Sequence, residues 1–209
     1  MARCIIIAPL YQGEEKEQLT PDKDDLLLCA DGGYAAAVRF GLKPHLVIGD
    51  LDSMPACEVV DTPLIQLPIH KDDTDLLVCI REGRKHGYRS FLIAGAIGGR
   101  LDHTIAAIQC LADCARRGEE AWMLNTANRI TAIIPGRYHY KRMDGWKLSL
   151  LAYSEKVCGV SLSGTEWELS NAELSSCYPL GISNEWVEDE AVLSFSSGTL
   201  LICFSRDAM

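Results

Sequence analysis

The acidic residues of this chain are not spread evenly. Asp31 follows the apolar run Leu26–Ala30, and Asp50 and Asp52 follow His45–Gly49. Asp72 and Asp75 open a helical segment after Leu64–Leu67, and Asp102 opens another after Phe91–Gly95. Each of these runs has strand length, so all six carboxylates fall just past the carboxyl end of a strand or at a helix start. In an open α/β sheet those ends line one crevice, where ligands bind. Carboxylates gathered there repel one another unless cations neutralise them. Hard divalent cations take oxygen ligands, and Mg2+ bridges carboxylates to substrate phosphates.

Each piece also has a plainer reading. Asp72 with Thr74 and Asp75 fits a helix cap that complements the positive helix end. Asp50-x-Asp52-Ser53 fits a polar turn, Asp31-Gly32-Gly33 a tight strand-to-helix turn, and Asp102 a cap or a partner for Arg100. What argues for chemistry is the convergence, since independent caps rarely need to share one sheet edge.

Gly95-Ala96-Ile97-Gly98-Gly99-Arg100 joins a strand to a helix. Backbone N–H groups at such a junction receive phosphate, glycine permits close approach, and arginine offers a planar fork to phosphate oxygens. It is neither a GxxxxGK[ST] loop nor a GxGxxG dinucleotide loop. His103 reads as a helix-capping or supporting histidine rather than a general base. His70 beside Asp72 and Asp73 is a single histidine among carboxylates, which suits a hard ion better than zinc.

The elements that position these groups alternate over residues 1–125. Strands are expected at Arg3–Pro9, Leu26–Ala30, His45–Gly49, Leu64–Leu67 and Phe91–Gly95. Helices are expected at Tyr34–Phe40, Thr74–His86 and Leu101–Arg117, each followed by or ending near a glycine. This pattern predicts an α/β domain, a mostly parallel sheet with flanking helices. Over residues 126–209 the period changes to short strands at 130–135, 137–141, 147–153, 157–162, 191–195 and 199–204. Turn residues separate them, which predicts a C-terminal antiparallel β-sandwich. Within it, Ser163-Gly164-x-x-Trp167-x-Leu169 and Gly181-Ile182-Ser183-Asn184-Glu185 read either as ordinary loops with a core indole or as a stacking platform with polar partners.

The composition narrows the class. The chain has 209 residues, 48% hydrophobic and 23% charged, as in ordinary globular proteins. Its 20 basic and 29 acidic residues give a net charge of −9, which argues against a nucleic-acid binder. Nine cysteines are scattered without a CxxC, which predicts reduced, mostly buried thiols in a cytoplasmic protein. Cys110 and Cys114 are expected to pack rather than ligate. No apolar run approaches the roughly 18 residues of a membrane helix.

The ordered motifs together resemble the thiamine pyrophosphokinase family. They are Ala30-Asp31-Gly32-Gly33, then Lys43-Pro44-x-x-Val47-Ile48-Gly49-Asp50-Leu51-Asp52-Ser53, then Lys71-Asp72-Asp73-Thr74-Asp75-Leu76, then Gly95-Ala96-x-Gly98-Gly99-Arg100-Leu101-Asp102-His103-Thr104. The two segments around Trp167 and Ser183 extend the resemblance over nearly the whole chain. It implies an α/β catalytic domain followed by a β-sandwich, and a homodimer with active sites at the subunit interface. The implied reaction moves a pyrophosphoryl group from ATP to the hydroxyl of thiamine, giving thiamine diphosphate and AMP.

By the same resemblance Asp50, Asp52, Asp72, Asp75 and Asp102 form the catalytic acidic set, with Asp50, Asp52, Asp72 and Asp75 as Mg2+ ligands. Asp31, Gly32, Gly33, Ser53, Lys71, Thr74, Gly98, Gly99, Arg100 and His103 are implied on the ATP side. Trp167, Ser183 and Asn184 are implied on the thiamine side, with Trp167 reaching the ligand from the partner subunit. Asp73 occupies a variable position of its motif and is not counted as a ligand. Two other readings stand beside this one. One is a different Mg2+-dependent phosphotransferase or nucleotide hydrolase, and the other is a non-catalytic thiamine or nucleotide sensor.

Overall fold

A computed structural model describes residues 2–13, 15–50, 62–68 and 72–207. The chain divides into two compact units, Met1–Leu111 with Glu119–Thr126, and Ala112–Gly118 with Ala127–Met209.

The first unit holds strands β1 (Cys4–Ile7), β2 (Leu26–Ala30), β3 (Leu46–Gly49), β4 (Leu64–Gln66), β5 (Ser90–Ala94) and β6 (Glu120–Leu124). Its helices are α1 (Lys16–Leu19), α2 (Gly33–Arg39), α3 (Asp75–Lys85) and α4 (Leu101–Arg116), the last turn of which falls in the second unit. The strands run in the order β6-β5-β1-β2-β3-β4, and every pairing is parallel. The chain thus builds outward from β1 in one direction and returns for β5 on the other side. That reversal is a topological switch point, and it lies between β1 and β5.

β1 is the centre of the core. Cys4, Ile5, Ile6 and Ile7 are all fully buried, as parallel strands covered on both faces require. Each such aliphatic side chain contributes roughly 1.5–3 kcal/mol. Around them pack Leu27, Leu28, Val47, Ile48, Ile80 and Ile93. The Thr74 hydroxyl caps α3 by accepting from the Leu77 N–H at 3.3 Å. Arg84 near the end of α3 meets the buried Glu119 carboxylate at 2.7 Å, tying the helix to the start of β6.

The second unit holds β7 (Asn128–Ile133), β8 (Gly136–Lys141), β9 (Lys147–Ala152), β10 (Lys156–Ser163), β11 (Leu169–Ser175), β12 (Gly181–Asn184), β13 (Glu190–Phe195) and β14 (Leu200–Ser205). They form two antiparallel sets, β12-β9-β14-β7 and β11-β10-β13-β8. Leu148, Leu150 and Ile202 of one set and Val160, Leu162 and Leu193 of the other are buried. Tyr140 of β8 meets Phe204 of β14 edge-to-face at 5.3 Å, so the sets pack as a sandwich.

The expected fold class holds, with local differences. The first strand ends at Ile7, and Ala8-Pro9-Leu10 turns away. The short α1 and the strand β6 were not expected. The strand at 169–175 was not expected, and 181–184 is a strand where an ordinary loop was one of the two readings. Eight cysteines are described and none forms a disulfide; Cys110 and Cys114 are buried in packing.

Candidate active site

A cavity of about 720 Å³ opens at the carboxyl ends of β1, β2, β3 and β5. Its wall is made by Ala8, Pro9 and Leu10 after β1, Ala30 and Asp31 at the end of β2, and Asp50 after β3. Asp73, Thr74, Asp75 and Leu76 enter from the start of α3. Gly95, Ala96, Gly98 and Arg100 enter from the β5–α4 loop, and His103, Ala106 and Ala107 from α4. The cavity therefore sits at the switch point, where the parallel topology leaves room between diverging loops.

Close backbone approach shapes this end of the sheet. Asp31 adopts a left-handed conformation, φ +45°, which aspartate tolerates better than most residues. Its N–H donates to the Ile48 carbonyl at 2.8 Å, and its carbonyl accepts from the Tyr34 N–H at 3.1 Å. A Cβ on Gly33 would stand 2.1 Å from the Ile7 carbonyl oxygen, so only glycine lets α2 start against β1. The β5–α4 loop is braced by Thr104, whose hydroxyl accepts from the Gly98 N–H at 3.1 Å.

Two charge pairs stand at the cavity. Asp73 is bonded to Arg81 of α3. Arg100 holds Asp102 through two hydrogen bonds, 3.2 Å from Nε and 2.7 Å from the terminal nitrogen. The guanidinium holds the Asp102 carboxyl below the usual carboxylate range, and Asp102 raises Arg100 in turn. Both side chains are exposed, so this pair is accessible to an incoming anion.

The expected residues are thus distributed unevenly. Asp31, Asp50, Thr74, Asp75, Gly98, Arg100 and His103 share one cavity wall. Asp102 does not line it; it sits on Arg100, the partner its plainer reading named. Asp72 is exposed and outside the wall; the half-buried Gly32, the buried Gly33 and the exposed Gly99 are also outside it and shape the backbone behind it. Asp52, Ser53, Lys71 and His70 lie outside the described residues. Sequence reading missed Pro9, Leu10, Ala106 and Ala107 as wall residues, and set aside Asp73. Two alanines facing a cavity leave no mark in the sequence beyond small size.

In the sandwich, Trp167 and Asn184 line a second, smaller cavity of about 170 Å³ with Leu150, Leu162, Leu169, Leu180, Gly181 and Ile182. Trp167 is 58% exposed, so it is not a core indole. Ser183 has φ +61°, and its N–H donates to the Ser149 hydroxyl at 2.9 Å.

A family model described as thiamin pyrophosphokinase, catalytic domain, matches residues 18–123. A second, thiamin pyrophosphokinase, vitamin B1 binding domain, matches residues 138–200. The chain belongs to the thiamin pyrophosphokinase family. A relative in this family, the thiamine pyrophosphokinase of Bacillus subtilis (strain 168), is 26% identical over 192 residues, covering 89% of this chain and 90% of its own. The crystal structure of thiamin pyrophosphokinase from Geobacillus thermodenitrificans superposes with a TM-score of 0.85 at 26% identity, over 100% of this chain and 99% of that one. The Bacillus subtilis crystal structure gives a TM-score of 0.88 at 24% identity over 99% and 100%, a likeness of fold.

Proposed function

We propose that this chain is an ATP-dependent thiamine pyrophosphokinase. The thiamine hydroxyl oxygen forms a bond to the β-phosphorus of ATP. The bond from that phosphorus to the oxygen bridging α and β breaks, AMP leaves with that oxygen, and the hydroxyl proton passes to a carboxylate. The observation that carries this reading is the acidic cavity at the switch point, walled by Asp31, Asp50 and Asp75 and bordered by a glycine loop with Arg100. Residues 1–125 are read as the ATP side and residues 126–209 as the thiamine side.

The wall chemistry fits Mg2+. Its acidic donors are hard oxygens, and among the described residues no group of three or more His, Cys, Asp or Glu forms a cage. Mg2+ needs no such cage, since it takes one or two carboxylates together with substrate phosphates and water. Asp50 and Asp75 are the carboxylates of the wall that would hold it, with Asp52 and Asp72 completing the set that the family resemblance implies. Bound there, Mg2+ supplies neutralising charge to the phosphates and polarises the β-phosphorus.

The protein's own part is positioning and electrostatics, which dominate this class of transfer. Arg100 offers its fork to phosphate oxygens, and the start of α4 and its glycine loop offer backbone N–H groups. A wall carboxylate takes the hydroxyl proton late in the transfer. Trp167 supplies a flat apolar face for the thiamine rings.

A homodimer is part of this reading. It is supported by the exposed apolar side chains of Trp167, Tyr178, Leu180, Ile182 and Val187 in the second unit. A cytoplasmic setting is supported by the described cysteines, none of them in a disulfide. No described helix is long and apolar enough to cross a membrane.

The test is incubation of purified protein with ATP and thiamine, with and without Mg2+. AMP and thiamine diphosphate in equal amounts, only with Mg2+, support the proposal. ADP as product, or AMP without thiamine diphosphate, would overturn the acceptor or the transferred group.

A further inference from the structure

Asn184 is buried, and all of its hydrogen-bonding capacity is spent within the protein. Its Oδ1 accepts from the Trp167 N–H at 3.0 Å and from the Glu185 N–H at 2.9 Å. Its Nδ2 donates to the Thr165 hydroxyl at 3.1 Å and to the Trp167 carbonyl at 2.7 Å. A carboxamide has two donors and two acceptor positions, and here each has a protein partner. The pattern also fixes which end is nitrogen, because the reversed amide would set its oxygen against the Trp167 carbonyl.

One side chain therefore grips both the N–H and the C=O of Trp167, as a neighbouring strand would. The rest of the loop is tied down to match. Glu166 N–H donates to the Glu185 carbonyl at 2.9 Å, and the Gly164 carbonyl accepts from the Val187 and Glu188 N–H groups, both at 3.1 Å. The Trp167 indole nevertheless projects outward, more than half exposed. An exposed aromatic on a fixed main chain is a pre-organised platform, since less freedom is lost when a ligand stacks on it.

We propose that Asn184 is a positioning residue that clamps the main chain of Trp167 and does not itself touch the ligand. The proposal rests on reading Trp167 as the thiamine platform, and it moves polar recognition away from Asn184. Ser183 is the neighbour suited to that role, for no hydrogen bond of its hydroxyl is seen among the described residues.

The experiment uses the full chain labelled with 5-fluorotryptophan, with the Trp167 resonance assigned by loss in Trp167→Phe. Asn184→Asp keeps both acceptor bonds but replaces the donating nitrogen with an oxygen facing the Trp167 carbonyl. The expected result is a Trp167 fluorine resonance moved toward that of the free amino acid. The KM for thiamine should rise about tenfold, equivalent to about 1.4 kcal/mol. The kcat and the KM for ATP should stay within about twofold of the parent. Thr165→Val, which removes one of the four bonds, should fall between, and it carries the test if Asn184→Asp does not fold. The resonances of the other three tryptophans report folding in both variants.

A raised KM with an unmoved Trp167 resonance would show that Asn184 contacts the ligand directly and would overturn the proposal. A moved resonance with unchanged KM, or no change in either, would overturn it equally. Turnover of thiamine by the parent protein tests the functional reading separately. If the parent does not use thiamine, the resonance alone decides the clamp.

Discussion

The sharpest structural prediction concerns Gly33. A methyl group there would meet the Ile7 carbonyl oxygen at 2.1 Å and its carbon at 2.8 Å. An ordinary carbon–oxygen contact needs roughly 3.3 Å, so the two backbones must separate by about 1.2 Å. β1 cannot yield, because it is fully buried and paired on both sides by β2 and β5. α2 must move instead, and it carries the Asp31 turn with it. Overpacking of this kind costs about 3 kcal/mol at its upper range. For a protein of this size that lowers Tm by roughly 6–12 °C. A 1 Å displacement at a site costs about 100-fold in rate. Gly33→Ala should therefore lose about 100-fold in kcat/KM for ATP as well as stability. The control is Gly118→Ala, where φ is +69° but nothing lies within 4 Å. It should cost about 1–2 kcal/mol from backbone strain alone and leave kinetics unchanged. Thermal melts and steady-state kinetics on both variants check this. A Gly33→Ala protein with unchanged Tm and kcat/KM would refute the close-approach argument.

Other predictions follow from the same geometry. Asp75→Asn, at the cavity wall, should reduce turnover by more than about 100-fold, whereas Asp102→Asn, exposed, off the wall and acting only through its hydrogen bonds to Arg100, should reduce it by about tenfold, with Tm within about 2 °C of the parent in both; near-parental turnover of Asp75→Asn would remove the wall carboxylate from the mechanism. Arg100→Ala should raise the KM for ATP about tenfold or more, as loss of a charge-assisted phosphate contact does; an unchanged KM would take Arg100 off the nucleotide. Glu119→Ala leaves Arg84 without its buried carboxylate and should cost about 3 kcal/mol, seen as a shift in the denaturation midpoint. Burial of Asp25 favours its neutral form, but hydrogen bonds from Arg3 and the Asp22 N–H outweigh this and lower it below its ordinary 3.8. Its stabilisation is then complete above about pH 5 and lost as pH falls through the lowered value. The gap in stability between the parent and Asp25→Asn should shrink below pH 4; a gap that widens there would contradict the sign.

How far the sequence revealed this depends on what each residue answers to. β2 and α3 were legible because an apolar run and a helical period are local properties. Thr74 and the terminal glycines marked helix ends for the same reason. β6 was missed because Glu119 and Glu120 disguise a short strand, and the buried Glu119 is accommodated by Arg84 arriving from α3 and by Arg89. β11 and β12 were missed because their serines, asparagines and glycine look like turns. Only pairing with β10 and β9 makes them strands. The cavity was legible as a list of aspartates, since strand ends in a parallel sheet share an edge. Its wall was not, because orientation separates Asp75 from its near neighbour Asp72, and Arg100 draws Asp102 aside.

The central claim is transfer of an intact pyrophosphoryl group to thiamine. It is tested most directly with ATP labelled at both the β- and γ-phosphorus, incubated with the protein, Mg2+ and thiamine. The account predicts that both labels appear in thiamine diphosphate and that AMP emerges unlabelled in equal amount. Label at one phosphorus of a thiamine monophosphate with ADP released, or label in free phosphate with thiamine unchanged, would contradict it.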